Sequence, residues 1–346
     1  MKEHRNKLIK YAFEQRPEAG ETMPVADGIH WLRMPLPFVL GTINLWLLED
    51  GDGWSIVDTG VNVDDSKDIW RRVLETPMGS RPVSRCIVTH MHPDHAGCAG
   101  WFCEHTGATL WMPREEYFLC RILTADTGRP APEAGISFYR AAGYDEDMLN
   151  RYVKMFGMFG KFVDPLPESY HRIKDGEVIS IGKHDWQVIV GRGHSPEHAC
   201  LYCEELNVLI SGDQLLPTIS SNVSVFPTEP AADPLHDWLQ SLELLKNSIP
   251  EDVLVLPAHG RPFRGAHVRL DELIAEHVDG LDKLEAMLDE PRRAIDVFPA
   301  LFRREIDDRN RMMATGEAIA HLNYLVSEGR ARVEEDSHGV HWYGRG

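Results

Sequence analysis

The segment Thr89-His90-Met91-His92-Pro93-Asp94-His95 packs three imidazoles and a carboxylate into the six positions from His90 to His95. His90 and His92 are two apart, so an extended chain projects both rings to the same side. Asp94 and His95 follow in a turn and can face a second point nearby. Neutral imidazoles and carboxylates suit borderline-soft divalent cations: zinc first, with iron or manganese able to replace it at a nitrogen and oxygen site. Three later residues are of the same ligand types. His194 lies in Gly193-His194-Ser195-Pro196, Asp213 in Ser211-Gly212-Asp213, and His259 in Pro257-Ala258-His259-Gly260. Each comes at or shortly after the end of an apolar run that reads as a strand, and small neighbours permit tight loops. A sheet would deliver all three to one rim.

The elements that must do this positioning follow from hydrophobic patterning. Ile43–Leu48 and Trp54–Asp58 read as neighbouring strands around the turn Asp50-Gly51-Asp52-Gly53. Val63–Glu75 is helical in pattern, Ser84–Thr89 is a short buried strand, Ala96–His105 a helix stopped by Gly107, and Ala108–Met112 a strand. From about Glu115 to Tyr170 the pattern is helical, over Tyr117–Leu123, Ile136–Ala142 and Met148–Phe162. The last carries Tyr152, Met155, Phe156, Met158 and Phe159. It either packs its own apolar face or acts as a lid that shapes an acyl pocket. Strands return at Glu177–Ile181, Trp186–Val190, Ala199–Cys203, Val208–Ser211 and Val253–Leu256, with an amphipathic helix at Pro234–Lys246. Strand meanders mixed with helices imply an α/β (α+β) fold with two sheets and helices outside.

After about Arg264 the character changes. Helices at Val268–Leu288, Pro291–Phe302 and Asn310–Ser327 precede a small hairpin, Arg332–Glu334 with Val340–Trp342, in the outline of a winged-helix unit. The expected division is a catalytic domain at 1–264, with its helical insert at about 115–170, and a winged-helix-like domain at 265–346. As a DNA reader this tail is poor. Its candidate recognition helix offers only Arg311 and His321, and its wing carries Glu334, Glu335 and Asp336. The tail is expected to pack on the catalytic domain or to make a homodimer contact.

Composition narrows the setting. The formal net charge of −18 over 346 residues disfavours nucleic acid and points to a small-molecule substrate. The opening Met1 to Pro17 is charged and lacks the apolar core of a signal peptide, and no apolar run is long enough to span a bilayer. A cytoplasmic location is the expectation. The six cysteines, Cys86, Cys98, Cys103, Cys120, Cys200 and Cys203, form no dense disulfide framework. Cys200 and Cys203 make a C-x-x-C, but residues three apart on a strand face opposite ways.

The H-x-H-x-D-H set (His90, His92, Asp94, His95) with His194, Asp213 and His259 resembles the metallo-β-lactamase superfamily. Val57-Asp58-Thr59-Gly60 resembles that superfamily's first motif, and the resemblance runs from about Gly28 to Arg264. It implies an αββα sandwich with the site at one edge of the two sheets. It also implies that His90, His92 and His194 bind one metal, that Asp94, His95 and His259 bind a second, and that Asp213 bridges both. Asp58 would orient the metal-binding loop. The lactam-cleaving members of the common zinc class have a cysteine where Asp213 stands. The site instead resembles the glyoxalase II and RNase Z type, although neither a long basic exosite nor recognisable glutathione-binding residues are evident.

The expected chemistry is hydrolysis of a small ester, thioester or lactone by a hydroxide bridging two divalent metal ions, with Asp94 and Asp213 as the catalytic carboxylates. The same two-metal site could cleave a phosphodiester, including RNA, and that is the alternative. Ser195 either holds its loop or touches substrate. His198 is either a hydrogen-bonded strand-start histidine or a residue that orients a metal ligand or donates to a leaving group. Ser221 and Asn222 lie in a polar loop, Ser220 to Ser224, that could line the cleft. His105, His184, His236, His277 and His321 have no ligand context.

Overall fold

A computed structural model describes residues 9–76 and 78–346. The first eight residues of the charged opening segment lie outside this range. Two seven-stranded sheets stack face to face. One runs in the order Thr22–Ala26, Ile29–Pro35, Thr42–Asp50, Gly53–Val57, Val83–Ile87, Thr109–Met112, His171–Arg172. The other runs Lys10–Tyr11, Phe263–Arg264, Leu254–Pro257, Val208–Gly212, His198–Cys203, His184–Gly191, Val178–Ile181. The central strands of both sheets are buried on both faces and read as nearly continuous apolar runs.

Alternation assigns each side chain to a layer. Trp31, Trp46, Leu48, Ile87, Trp186, Val188, Leu201 and Ile210 fill the space between the sheets. Their neighbours Leu32, Leu45, Leu47 and Cys86 turn outward onto helices Asp64–Glu75, Ala99–Thr106 and Arg114–Ala125. The outer face of the second sheet, with Cys200, Leu209, Val255 and Phe263, is covered by Pro234–Ser248 and by helices of the C-terminal segment. This is the αββα sandwich. All six cysteines are free and buried, and Cys200 and Cys203 do face opposite layers.

Several elements differ from expectation. The seven-residue strand Ile29–Pro35, paired antiparallel from Ile29↔Leu48 to Pro35↔Thr42, carries no simple alternation because both of its faces are buried. The helix expected at Ala96–His105 is two pieces, Pro93–Ala96 and Ala99–Thr106. At the joint, a Cβ on Gly97 would stand 2.2 Å from the Pro93 carbonyl and 2.5 Å from that of Gly60, so the chain there is pressed against the Gly60 turn. Gly107 stops the second piece, as expected, at φ 76°. The insert helix expected over Met148–Phe162 ends at Met155. Phe156 is extended, Gly157 takes φ 72°, and a single 3-10 turn follows at Phe159–Lys161.

The segment after Arg264 forms a 22-residue helix, Ala266–Met287, short helical turns at Ala294–Val297 and Phe298–Leu301, a helix Arg311–Ser327, and the hairpin Ala331–Glu335 with His341–Arg345. Leu270, Leu273, Leu281, Leu284, Ala318, Leu322 and Leu325 share one core with the second sheet. Tyr139, Tyr144 and Tyr152 of the insert join that core, and the Tyr144 hydroxyl meets Thr315 Oγ1 at 3.0 Å. His321 is buried and so is withdrawn from any surface contact. Among the described residues, no helix is long and apolar enough to cross a membrane.

Candidate metal centre

The chain builds two adjoining donor groups at the rim where both sheets end. His90, His92, His194 and Asp213 form one, and Asp94, His95 and His259 form the other. His90 Nε2 faces His92 Nδ1 at 2.8 Å, and His92 Nδ1 faces His194 Nε2 at 3.1 Å. Asp213 Oδ2 lies 3.4 Å from His194 Nε2 and 3.5 Å from His95 Nε2, while its Oδ1 lies 3.5 Å from His259 Nε2. Asp213 therefore stands between the groups. Asp94 Oδ2 lies 3.2 Å from His259 Nε2.

The outer nitrogens of three of these rings fix their tautomers. His95 Nδ1–H donates to Asp58 Oδ2 at 2.7 Å, His194 Nδ1–H to the Asn222 carbonyl at 2.7 Å, and His259 Nδ1–H to the Thr42 carbonyl at 3.1 Å. These acceptors cannot donate, so each ring carries a proton on Nδ1 and turns its Nε2 inward, free to give a lone pair to a cation once any proton there is displaced. His95 Nε2, His259 Nε2 and Asp213 Oδ1 are buried with no hydrogen-bond partner. Buried polar atoms are rarely left so. Converging lone pairs and an unpartnered carboxylate oxygen fit divalent cations, and the nitrogen and oxygen donor set suits zinc, iron or manganese alike.

The electrostatics agree. Burial and the neighbouring imidazoles of His95 and His92 press His90 well below the usual histidine range. Burial and the adjacent His194 bring His92 down to about 3. Burial opposes a charged His95, but the carboxylates of Asp58, Asp213 and Asp94 outweigh it and hold the ring well above its ordinary value. Burial also opposes ionisation of Asp213, yet His259 and His95 hold its carboxyl well below the carboxylate range. Burial thus keeps His90 and His92 neutral, while the carboxylates around His95 favour positive charge there, which a proton supplies in the metal-free chain and a cation would replace.

Local backbone supports this placement. Asp58 follows the strand Gly53–Val57 in a left-handed conformation, φ 64°, which a non-glycine residue holds only when its surroundings over-determine it. Its carboxylate accepts from Thr89 N at 2.8 Å and Thr89 Oγ1 at 2.9 Å as well as from His95. Gly193, at φ 100°, lets the His194 loop press on the helix Pro234–Ser248. A Cβ there would stand 2.5 Å from both Pro234 O and Trp238 Cβ.

The structure places the remaining expected residues as follows. His198 opens the strand His198–Cys203 and accepts Asp213 N–H on Nε2 at 3.0 Å, so it orients the backbone of the central carboxylate. Ser221 is buried and its hydroxyl donates to the Asp213 carbonyl. Asn222 donates from Nδ2 to Glu317 at 2.7 Å and accepts from Ser224 on Oδ1 at 2.6 Å. Both thus spend their side chains holding the loop rather than presenting them to a cleft. Ser195 is buried beside the Glu116 carboxylate.

Four supports went unread in the sequence. Thr42 holds His259 through its carbonyl, which no side-chain pattern reveals. Asn44 donates to the carbonyls of Pro257 and Gly260, both at 2.8 Å, and anchors that loop. Arg269 donates to the carbonyls of Leu216 and Ile219, just beyond Asp213. Glu116 is fully buried, and burial pushes its carboxyl up to about 7 despite hydrogen bonds from Glu197 N and Met91 N. A signal for Glu116 did exist, since it shares the buried face of its helix with Tyr117 and Cys120.

Fold and site together define a metal-dependent hydrolase. Residues 39–260 match the family model of the metallo-beta-lactamase superfamily, and residues 281–346 match that of the metallo-beta-lactamase-like C-terminal domain. The chain belongs to the metallo-β-lactamase superfamily. It is similar to a solved beta-lactamase domain protein from Burkholderia ambifaria, at 39% identity and a TM-score of 0.90, over 99% of this chain and 100% of that one. It is also similar to a probable metallo-hydrolase of Bacillus subtilis, 25% identical over 86% of this chain and 92% of the relative. A third relative is an acyl-coenzyme A thioesterase of Gallus gallus, 26% identical over 74% of this chain and 85% of the relative.

Proposed function

We propose that this protein hydrolyses an acyl thioester at a centre holding two divalent cations, zinc being the first expectation. The observation that carries the two-cation reading is the pair of adjoining donor groups with Asp213 between them, three of whose buried polar atoms lack partners. Support for an acyl substrate comes from relatives named as thioesterases, the Gallus gallus protein and an atrochrysone carboxyl ACP thioesterase of Aspergillus fumigatus. An apolar loop tip, Phe38, Val39 and Leu40, is exposed next to the strand whose Thr42 holds His259, and it offers a wall for an acyl chain.

Bound cations would supply Lewis acidity toward the thioester carbonyl and lower the pKa of water from about 15.7 towards about 7. The chain's own residues do the rest. His90, His92 and His194 present lone pairs on one side, and His95 and His259 on the other. Asp213 neutralises charge between them. Asp94 and Asp213, side chains 14% and 11% exposed, are the carboxylates able to accept the proton of an entering water. Water adds to the carbonyl carbon, the carbon–sulfur bond breaks, and the products are a carboxylic acid and a thiol.

The test is hydrolysis by zinc-loaded protein of acyl thioesters of graded chain length, in parallel with a bis-aryl phosphodiester, and with Asp213→Ala as the control for both. Turnover of the thioesters that vanishes in the control is the expected result. Turnover of the phosphodiester alone would replace this reading with the nuclease-like one.

A further inference from the structure

Glu116 sits on the inner face of the helix Arg114–Ala125, outside the donor groups, and the chemistry above does not use it. Its side chain is 0% exposed. Burying a carboxylate costs several kcal/mol unless its oxygens are satisfied. Here each oxygen accepts one backbone N–H from a different ligand loop. Met91 N, between His90 and His92, donates to Oε2 at 2.9 Å. Glu197 N, three residues after His194, donates to Oε1 at 2.7 Å.

The bond is returned from the other side. The helix begins without a side-chain cap of its own, and its Glu115 N donates to Glu197 Oε2 at 2.9 Å. Helix start and His194 loop therefore clasp each other, each carboxylate serving the other's backbone. The second donor group is held by different means. Thr59 N and Oγ1 donate to the His95 carbonyl at 2.9 and 2.7 Å, Asp58 holds the His95 ring, and Thr42 with Asn44 holds the His259 loop.

We propose that Glu116 is a positioning residue of the metal centre: it clamps the His90–His92 loop to the His194 loop and sets the metal affinity of the His90–His92–His194–Asp213 group alone. This rests on the two-cation reading above. Neither loop can shift its histidines without surrendering a hydrogen bond to a fully buried carboxyl group. A glutamine of the same shape keeps one acceptor oxygen, but its amide nitrogen cannot accept, so one loop is released. An aspartate keeps both acceptors and falls short by one methylene.

The experiment is zinc titration against a chromophoric chelator, with near-UV circular dichroism to verify folding. It compares the wild type with His259→Ala, which spares the four-donor group, and His92→Ala, which impairs it, each with and without Glu116→Gln. Glu116→Asp is run in the same backgrounds and carries the test if the glutamine variant does not fold. The expected result is zinc affinity about 10–100-fold weaker in the His259→Ala background, the range for lost outer partners of metal ligands, and unchanged affinity in the His92→Ala background. Unchanged affinity in both backgrounds, or equal weakening in both, would overturn the clamp. A wild type that binds fewer than two zinc ions would instead overturn the two-cation reading, whatever Glu116 does.

Discussion

Asp58→Asn changes one atom and tests whether the tautomer of His95 is set from behind. The carboxylate of Asp58 accepts from Thr89 N, Thr89 Oγ1 and His95 Nδ1 at 2.8, 2.9 and 2.7 Å. Asparagine tolerates the left-handed φ of 64°, so the backbone imposes no new strain. One of its two terminal atoms becomes an NH2. If that group faces His95, the ring must accept on Nδ1, and its proton moves to Nε2, the atom that lies 3.5 Å from Asp213 Oδ2 and points into the site. If it faces Thr89 instead, the Thr89 N–H loses its acceptor at a cost of about 1–3 kcal/mol. Either way the centre is disturbed, and the metal affinity of the His95 group should fall about 10–100-fold, or about 1.4–2.7 kcal/mol. Asp58→Ala removes the acceptor of both Thr89 N and His95 Nδ1 and should cost about 2–6 kcal/mol of folding stability. Chelator competition measures the first effect and urea unfolding of metal-free protein the second. An asparagine variant with wild-type affinity at both sites would refute the tautomer argument.

Three further outcomes follow from the packing and the charges. Gly193→Ala forces a Cβ to within 2.5 Å of Pro234 O at φ 100°, and should destabilise by about 2–4 kcal/mol in urea unfolding; wild-type stability would mean that the loop can relax away from the helix. His277 is held down to about 3, first by burial and then by His321, so it stays neutral in the fold while the unfolded chain protonates near 6.5. The unfolded state therefore binds more protons between about 6.5 and about 3, and stability is lost as pH falls through that window. Replacing His277 with Gln should remove up to about 1.4 kcal/mol per pH unit from that slope, checked by unfolding at pH 7, 6 and 5. Ending the chain after Arg264 should leave an aggregating protein, because Leu270, Leu273, Leu322 and Leu325 would no longer cover the second sheet; a soluble, two-zinc truncate by light scattering and metal analysis would contradict this.

The donors were legible in the sequence because their types are rare together and their spacing repeats a known pattern. His90 and His92 project together from an extended segment, and His194, Asp213 and His259 follow apolar strands, so little else about the fold was needed to gather them. Their supports were far less legible. The carbonyls of Thr42 and Asn222 act through backbone, which any residue supplies. Glu116 and Arg269 betray themselves only as charges on buried helix faces, a signal that needs the burial pattern first. The strand Ile29–Pro35 was missed for a related reason: Ile29 and Trp31 fill one layer while Leu32 and Met34 fill the next, which erases the period of two. Gly97 and Gly157 broke helices whose apolar periodicity ran on past them.

The tie between Arg269, Glu317 and the loop after Asp213 also sets an order in time. Every donor from His90 to His259 leaves the ribosome before the helices that carry these two residues. Until those helices emerge and dock, the Leu216 and Ile219 carbonyls lack the Arg269 guanidinium and the Asn222 amide lacks Glu317, so the backbone that aims His194 has no fixed seat. The donor geometry seen here is therefore complete only after nearly the whole chain has been synthesised, later than the sheets that carry the donors.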